Sequence, residues 1–443
     1  MIQDLTTGDS KKVLARYTIP MFISVAFQQI YNIADSMIAG KFAGEEALAA
    51  VGASYPITMI FMAVAVGSNI GCSVVISQLF GAKEYRRLKT AVSTTLLTGF
   101  LLSAILTLIG LFTTPAMMRM IRTPDNIYAD GALYLRIYIG GFIFLFLYNV
   151  VTGMFNSLGD SKTPLYFLIG SSIGNIVLDL LFVAVFHWGV AGVAWATFIA
   201  QGAACVLALF AFRGRIAQVQ TDGKAALFSF DVLGKIAFVA VPSILQQSFI
   251  SIGNIFVQSL VNSYGSEVIA GYSAAVKLNT FFITGLTTLG NGISGFTAQN
   301  LGAKKPERIR EGYKAGIGMA LGVTFPFFLA FCLLSRGMML LFMEDAGGAA
   351  MAAGVMFLRI VSPFYFVISI KLISDGVLRG TEAMNYFMVS TFTDLILRVI
   401  LAYIFSAWFA SDGIWMSWPA GWCVGTLLSA RFCRKVIKRE SHL

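Results

Sequence analysis

Residues 78–83 read QLFGAK, and nearly the same letters return at residues 299–304 as QNLGAK. The two copies begin 221 residues apart, which is about half of the 443-residue chain. Single residues recur at an interval of 221 or 222 residues as well. The pairs are Gly71 with Gly292, Pro20 with Pro242 and Asn32 with Asn254. Self-similarity at a fixed interval predicts two copies of one structural unit.

The composition indicates that both copies lie in a lipid bilayer. The chain is 57% hydrophobic and only 12% charged, whereas soluble domains carry about 25% charged residues. Apolar runs recur along the whole length, each near or beyond the roughly 20 residues that a helix needs to cross the hydrocarbon. We place them at residues 14–39, 50–79, 91–116, 130–155, 164–186, 189–212, 235–262, 269–300, 313–335, 350–377, 386–409 and 413–433. The predicted fold is an all-α integral membrane protein with twelve transmembrane helices.

The basic residues of the connections predict the orientation. Most Lys and Arg side chains between the apolar runs fall on one side, and basic loops stay in the cytoplasm. Both termini of this plasma-membrane protein are therefore expected to be cytoplasmic. Six spans per half make the repeats parallel, as two pseudo-symmetric six-helix lobes around a central cavity. We expect an amino-terminal lobe at residues 1–212, a cytoplasmic linker at 213–234 and a carboxy-terminal lobe at 235–443.

Several function classes lack their usual sequence features. Five cysteines without a CxxC pair and only two histidines argue against a metal centre and against catalysis of the usual nucleophilic or acid–base kinds. We therefore do not expect an enzyme. The absence of a GxxxxGK[ST] phosphate loop argues against ATP hydrolysis as a driving force. The net charge of +10 is spread over many separate loops, which argues against nucleic acid as a partner.

Four motifs together give the chain a family resemblance. They are P-x7-QQ-xx-N-xx-D in the first span, GAK after a Gln at the end of the second, GMFNSLGDSKTP between the fourth and fifth, and GVLRG near residue 380. The sequence resembles the multidrug and toxic compound extrusion (MATE) family over essentially its whole length. The resemblance implies an antiporter that exports organic cations or other amphipathic compounds in exchange for H⁺ or Na⁺, with no other cofactor. Its expected partners are small molecules and the bilayer, and we expect a monomer.

Polar residues of the amino-terminal lobe share helix faces. A carboxylate at the centre of a membrane helix costs roughly 2.5 to 3.5 kcal/mol, so each one needs a function or a partner. In the first span Gln28, Asn32 and Asp35 follow the spacing i, i+4, i+7, which is one face of a helix. Counted from the outer ends of their spans, Asp35, Asp179 of the fifth span and Thr197 of the sixth lie at similar depth. This similarity predicts one shared pocket.

The family resemblance gives this pocket a role. Asp35, Asn175, Asp179 and Thr197 match the residue types of the family's amino-terminal cation site. Carboxylate, amide and hydroxyl oxygens could hold Na⁺, and two nearby carboxylates could share a proton, so the choice of ion stays open. The competing interpretation is structural, with the Asp35 carboxylate paired to Arg136 of the fourth span.

Further polar residues are candidates for the substrate path, and they are Gln28, Asn32, Gln201, Gln246 and Asn254. Amide hydrogen bonds between helices are an equally open explanation for them. Pro20 lies inside the first span, where a proline removes a helix hydrogen bond and permits a bend. In the family a bend of the first helix accompanies protonation, so the resemblance makes Pro20 a hinge candidate.

The carboxy-terminal lobe departs from this pattern. Val257 and Arg398 stand at the positions that match the two amino-lobe carboxylates. The charged residues of its spans form two i, i+4 pairs, Lys371 with Asp375 and Asp394 with Arg398, which is typical of ion pairs on one helix. We predict structural pairing there and no duplicated cation site.

Two other functions compete with coupled export. A flippase for lipid-linked sugars, from the same wider superfamily, would need basic residues for an anionic pyrophosphate, whereas the amino-terminal lobe carries acids. An intramembrane enzyme or a scaffold is the third possibility, and the chain lacks the catalytic residue pairs for the former. The sequence therefore favours a cation-coupled multidrug antiporter.

Overall fold

The computed structural model describes residues 2–221, 223–342 and 348–441, and no strand occurs among them. The α-helices are α1 (Ser10–Ile38), α2 (Glu45–Gly81), α3 (Tyr85–Met120), α4 (Asp125–Gly140), α5 (Phe142–Ser157), α6 (Lys162–Asp179), α7 (Gly189–Ala217), α8 (Phe230–Asn262), α9 (Ser266–Gly302), α10 (Pro306–Leu333), α11 (Ser335–Met339), α12 (Ala349–Val361), α13 (Tyr365–Gly380) and α14 (Met384–Glu440). Two π-helical segments, Ala39–Ala43 and Leu180–Val185, follow α1 and α6, and a 3-10 turn, Ser362–Phe364, joins α12 to α13. The all-α prediction is confirmed.

The helices correspond to the twelve predicted spans. Within the described ranges, eight segments are long and apolar enough to cross a bilayer, and α4 with α5 forms a ninth span that bends by 46°. The last segment, α14, counts twice because Phe409 (φ −122°) and Ala410 (φ 52°) interrupt its helical backbone. This break falls where the sequence predicts the boundary between the last two spans. The remaining two are α1 and α9, with 29 and 37 residues.

The repeated GAK motif is a helix cap. In the first copy Lys83 has a left-handed backbone (φ 58°), and the N–H groups of Lys83 and Glu84 donate to the carbonyl oxygens of Phe80 and Leu79 at 3.1 and 3.0 Å. These are the two hydrogen bonds of a Schellman motif, which satisfies carbonyl groups at a helix end. Lys304 has the same conformation (φ 55°) at the end of α9. The sequence repeat is therefore also a repeat of local structure, and α2 and α9 both have 37 residues.

Contacts within the chain define two compact units. The amino-terminal unit contains Met1–Asp4 and Ile19–Ser248, and the carboxy-terminal unit contains Leu5–Thr18 and Phe249–Leu443. The long helices α1 and α8 are thus each divided between the two units. Buried apolar side chains occur in both units, among them Phe146 in the amino-terminal unit and Trp415 in the carboxy-terminal unit.

Aromatic side chains fill both cores. In the amino-terminal unit Phe142 and Phe146 are buried, with ring centroids 5.8 Å apart. In the carboxy-terminal unit Tyr272 stacks on the buried Trp415 with centroids 5.0 Å apart. Such pairs contribute about 0.5 to 1.5 kcal/mol beyond the burial of their area. The polar site described next therefore lies in a unit whose helices are fixed by dense apolar packing.

Candidate functional site

Two carboxylates of the amino-terminal unit lie where helices change their hydrogen-bond pattern. Asp35 lies four residues before the π-helical segment Ala39–Ala43. Asp179 is the last residue of α6, directly before the π-helical segment Leu180–Val185. Single π-helical turns inside α-helices are rare and occur frequently at functional sites. Both carboxylates thus lie within four residues of an irregular stretch of helix.

The carboxyl groups of Asp35 and Asp179 lie within hydrogen-bonding range of each other. Asp179 is fully buried and Asp35 is partly buried. Among the described residues, Oδ1 of Asp35 and both carboxylate oxygens of Asp179 have no hydrogen-bond partner. Like charges this close cannot both persist in a buried site unless a cation or a proton is present. The arrangement is therefore chemically suited to binding one.

An amide and a hydroxyl complete the group of polar residues that the sequence singled out. Asn175 is one turn before Asp179 on α6 and only 2% exposed, and neither atom of its amide has a hydrogen-bond partner. Thr197 of α7 donates its Oγ1 hydrogen to the carbonyl oxygen of Val193 at 3.1 Å. That donation leaves the Thr197 oxygen as an acceptor, and it is in hydrogen-bonding contact with the hydroxyl of Tyr31.

Two tyrosines also belong to this site, although the sequence analysis did not assign them to it. Tyr31 of α1 and Tyr134 of α4 are both close enough to Asp35 and Asp179 to interact electrostatically with them. Tyr31 lies one helical turn before Asp35, and this spacing could have identified Tyr31 from the sequence. Nothing in the local sequence separates Tyr134 from the other aromatic residues of its span.

A small cavity adjoins the site inside the same unit. Its walls include Tyr134, Tyr138 and Phe198, together with Thr197 and Gln201. Oε1 of Gln201 is buried and has no hydrogen-bond partner. The cavity thus combines aromatic faces, which attract organic cations, with an unsatisfied amide oxygen.

The other predicted path residues have more varied surroundings. Gln28 and Asn32 of α1 are exposed, whereas Gln246 of α8 is 9% exposed. Asn254, also on α8 but within the carboxy-terminal unit, is exposed and accepts a hydrogen bond from Arg398 at 3.2 Å. The substrate role of these residues stays a prediction.

The structural alternative for Asp35 fails in its proposed form. Arg136 is exposed on α4, and among the described residues it forms no ion pair with Asp35. The neighbour of the Asp35 carboxyl group is instead a second carboxyl group, that of Asp179. No basic side chain therefore neutralises this part of the described structure.

Pro20 is buried within α1, and the helix continues through it from Ser10 to Ile38. The hydroxyl of Ser24 donates to the carbonyl oxygen of Pro20 at 2.9 Å. A proline removes one helix hydrogen bond and so lowers the resistance of a helix to bending. The role of Pro20 as a hinge stays a prediction.

The buried charges of the carboxy-terminal unit pair in part as predicted. Lys371 Nζ lies 2.7 Å from Asp375 Oδ2, which confirms the first i, i+4 pair, and Ser429 donates to the other oxygen of Asp375. Asp394 lies 3.6 Å from Lys371, and it also interacts electrostatically with Arg398, although the two form no direct ion pair within the described residues. Lys371 therefore bridges two carboxylates.

Two glycines explain why the pairing differs from the prediction. A Cβ atom at Gly421 would lie 2.7 Å from Asp394 Oδ1, and one at Gly425 would lie 2.8 Å from both Asp394 Cβ and Lys371 Cε. The second half of α14 thus approaches the two charged side chains closely and leaves room for them to meet. This contact depends on tertiary packing and is not visible in the spacing along one helix.

Two repeats of membrane-spanning helices, with a buried pair of carboxylates in one of them, define a membrane transporter. The chain matches the MatE family over residues 20–181 and 242–404, and it therefore belongs to that family. These are the multidrug and toxic compound extrusion (MATE) transporters that the sequence resembles. One match falls in each half of the chain, as the repeat requires.

Curated relatives and solved structures agree with this assignment. The chain is 28% identical over 420 residues to "Probable multidrug resistance protein YpnP" of Bacillus subtilis (strain 168), covering 93% of this chain and 92% of the relative. It is 27% identical over 440 residues to "Probable multidrug resistance protein YoeA" of the same organism, covering 96% and 94%. A solved structure described as the outward-facing conformation of a multidrug resistance MATE family transporter of the MOP superfamily has a TM-score of 0.91 at 24% identity, covering 100% of this chain and 99% of that one.

Proposed function

We propose that the protein is a secondary active exporter that expels organic cations or amphipathic toxic compounds in exchange for H⁺ or Na⁺. The names of its relatives describe multidrug resistance. The observation that carries the coupling mechanism is the contact between the carboxyl groups of Asp35 and Asp179.

Electrostatics gives this contact its function. Two unit charges about 4 Å apart repel by about 4 kcal/mol at an effective dielectric constant of 20. A proton shared between the carboxylates removes that repulsion and supplies a hydrogen bond. Na⁺ would remove it as well, and the oxygens of Asn175 and Thr197 would then complete an all-oxygen ligand set. The protein needs no other cofactor for this exchange.

Export follows if ion and substrate compete for this unit. An ion that enters from outside neutralises the carboxylates, α1 bends near Pro20, and the bound cationic compound leaves to the outside. Release of the ion to the cytoplasm restores the negative charge and the affinity for the next substrate. The coupling is reciprocal, because each ligand shifts the conformational equilibrium that the other uses. Gln28, Asn32, Gln201, Gln246 and Asn254 supply polar contacts along the substrate path.

The cellular setting follows from the distribution of charge. The basic connections favour a plasma-membrane protein with both termini in the cytoplasm. One chain already contains both repeats and the whole candidate site, so we propose that it works as a monomer.

Transport into everted membrane vesicles tests the proposal. A fluorescent organic cation such as ethidium is supplied outside, and a proton gradient and a sodium gradient are imposed in turn. One of the two gradients should drive uptake, and Asp35→Asn should abolish it. Asp125→Asn is the matched control, because Asp125 is an exposed carboxylate in the first turn of α4. Failure of both gradients to drive uptake in the wild-type protein would contradict coupled export.

A further inference from the structure

The carboxy-terminal unit buries charge differently from the amino-terminal unit. Within the residues that the structure describes, the buried charged side chains of this unit are Lys371, Asp375, Arg379, Asp394 and Arg398, each at most 5% exposed. Three are cations and two are carboxylates, so the buried set carries one positive charge in excess. An uncompensated buried charge is costly, so the excess positive charge favours binding of an anion.

Among the described residues Arg398 forms no direct ion pair with a carboxylate, although Asp394 lies close enough to attract it electrostatically. The ammonium group of Lys371 contacts both Asp375 and Asp394, at 2.7 and 3.6 Å. The guanidinium group of Arg398 instead lies over the ring of Trp418, with Cζ 4.5 Å from the ring centroid. Its Nη2 donates to the neutral amide oxygen of Asn254 at 3.2 Å.

Unsatisfied donors surround this guanidinium group. Nε of Arg398 and Nε1 of Trp418 are both buried and have no hydrogen-bond partner in the part of the chain that the structure describes, and the two residues are 5% and 6% exposed. A buried donor without an acceptor costs about 1 to 3 kcal/mol. Two such donors, one on the guanidinium group and one on the neighbouring indole, favour a ligand that supplies negatively charged acceptor oxygens.

One edge of the Arg398 guanidinium group packs against α8. Asn254 is exposed, and the preceding Gly253 has no side chain, so that a Cβ there would lie 3.4 Å from Nη2 of Arg398. The amide oxygen of Asn254 is a weaker acceptor for a guanidinium group than a carboxylate, because charge-assisted hydrogen bonds are roughly twice as strong as neutral ones. A carboxylate that arrives at this face could therefore displace it.

We propose that Arg398, Trp418 and Asn254 form an anion site in the carboxy-terminal unit that binds an organic carboxylate. The planar guanidinium group holds the two carboxylate oxygens, and the indole N–H of Trp418 supplies a further donor. Asn254 forms the outer edge of the site. The proposal does not depend on ion-coupled export, because the site lies in the carboxy-terminal unit and shares only Asn254 with the proposed substrate path.

Benzoate binding to the purified full-length protein in nanodiscs of zwitterionic lipid tests the site, with intrinsic tryptophan fluorescence and thermal stabilisation as readouts. The neutral isostere benzamide is the ligand control. Benzoate should bind saturably, and benzamide at least about tenfold more weakly, since a hydrogen bond to a charged group contributes about 1.5 to 3 kcal/mol. Equal binding of the two compounds, or no benzoate binding, would overturn the proposal.

Three variants locate the site. Arg398→Gln should weaken benzoate binding at least about tenfold, whereas Arg379→Gln, a matched loss of a buried arginine, should weaken it less. Arg398→Lys keeps the positive charge but lacks the planar guanidinium group, so this variant should also bind benzoate weakly. It tests the site if Arg398→Gln does not fold. Asp394→Asn removes the neighbouring negative charge and should tighten binding. Wild-type affinity in both Arg398 variants, or weaker binding in Asp394→Asn, would refute the site.

Discussion

The carboxyl groups of Asp35 and Asp179 come from helices that are 144 residues apart in the sequence, and they lie within hydrogen-bonding range of each other. Among the described residues neither carboxylate has a basic partner. In the carboxy-terminal unit the two buried carboxylates, Asp375 and Asp394, instead share the ammonium group of Lys371. The two repeats therefore differ in how their buried carboxylates are neutralised, although they repeat the same arrangement of helices.

Replacing Asp35 by asparagine should abolish export without preventing folding. Asn has nearly the same size and can still form hydrogen bonds, but it cannot take up a proton or balance the charge of Na⁺. Cells that produce Asp35→Asn should lose resistance to ethidium while the protein is still present in the membrane. Full resistance in these cells would show that Asp35 does not couple transport.

Neutralising the carboxylates of the two units should have unequal effects. Asp375→Asn and Asp394→Asn each leave one carboxylate for Lys371, whereas Asp35→Asn or Asp179→Asn removes half of the proposed ion site. At equal expression, the amino-terminal variants should lose more transport than the carboxy-terminal ones. The reverse order would place the coupling residues in the carboxy-terminal unit.

The hydroxyl of Tyr31 should contribute to transport through Thr197. Tyr31→Phe removes the hydroxyl group that contacts Thr197, and a loss of about 1 kcal/mol corresponds to about a fivefold lower transport rate. Tyr166→Phe is the control, because Tyr166 is 67% exposed on α6. Initial rates of dye transport at equal expression measure the effect, and similar rates in both variants would exclude Tyr31 from the site.

Asp160 should be important for stability at the start of α6. Its carboxylate is buried and lies 3.0 Å from Arg215, and it accepts hydrogen bonds from the backbone and hydroxyl of Thr163 at 3.2 and 2.9 Å. Asp160→Ala leaves these donors unsatisfied and should lower stability by about 2 to 4 kcal/mol.

The melting temperature of the purified protein measures this loss. Asp231→Ala is the control, since the pair of Asp231 with Arg87 is exposed and such pairs contribute at most about 1 kcal/mol. An equal decrease in melting temperature for the two variants would contradict the role of Asp160.

Most of the architecture could be predicted from the sequence. Hydrophobic runs report span positions directly, because every backbone group in lipid must be paired within a helix. Even the break at Phe409 and Ala410 falls at a predicted boundary. The two π-helical segments next to Asp35 and Asp179 could not be predicted, because they differ from α-helix only in hydrogen-bond register and carry no distinct pattern of side chains.

The site could be predicted in outline only. The similar depth of Asp35 and Asp179 in the membrane correctly predicted that they lie close together. Depth can be counted from the sequence because the rise per residue of a helix is constant. The contact of Asp394 with Lys371 was missed, since spacing along α14 cannot show that Gly421 and Gly425 leave room for Lys371 of another helix. Contacts between helices depend on packing that a single sequence does not display.

The pH dependence of ligand binding tests the central claim most directly, because substrate and coupling ion should compete for the unit that contains Asp35 and Asp179. The affinity of the purified protein for ethidium is measured across a range of pH at constant ionic strength, with and without Na⁺. Lower pH or added Na⁺ should weaken binding in the wild-type protein and in Asp125→Asn, and this response should disappear in Asp35→Asn. Wild-type binding that responds to neither ion, or an unchanged response in Asp35→Asn, would contradict the account.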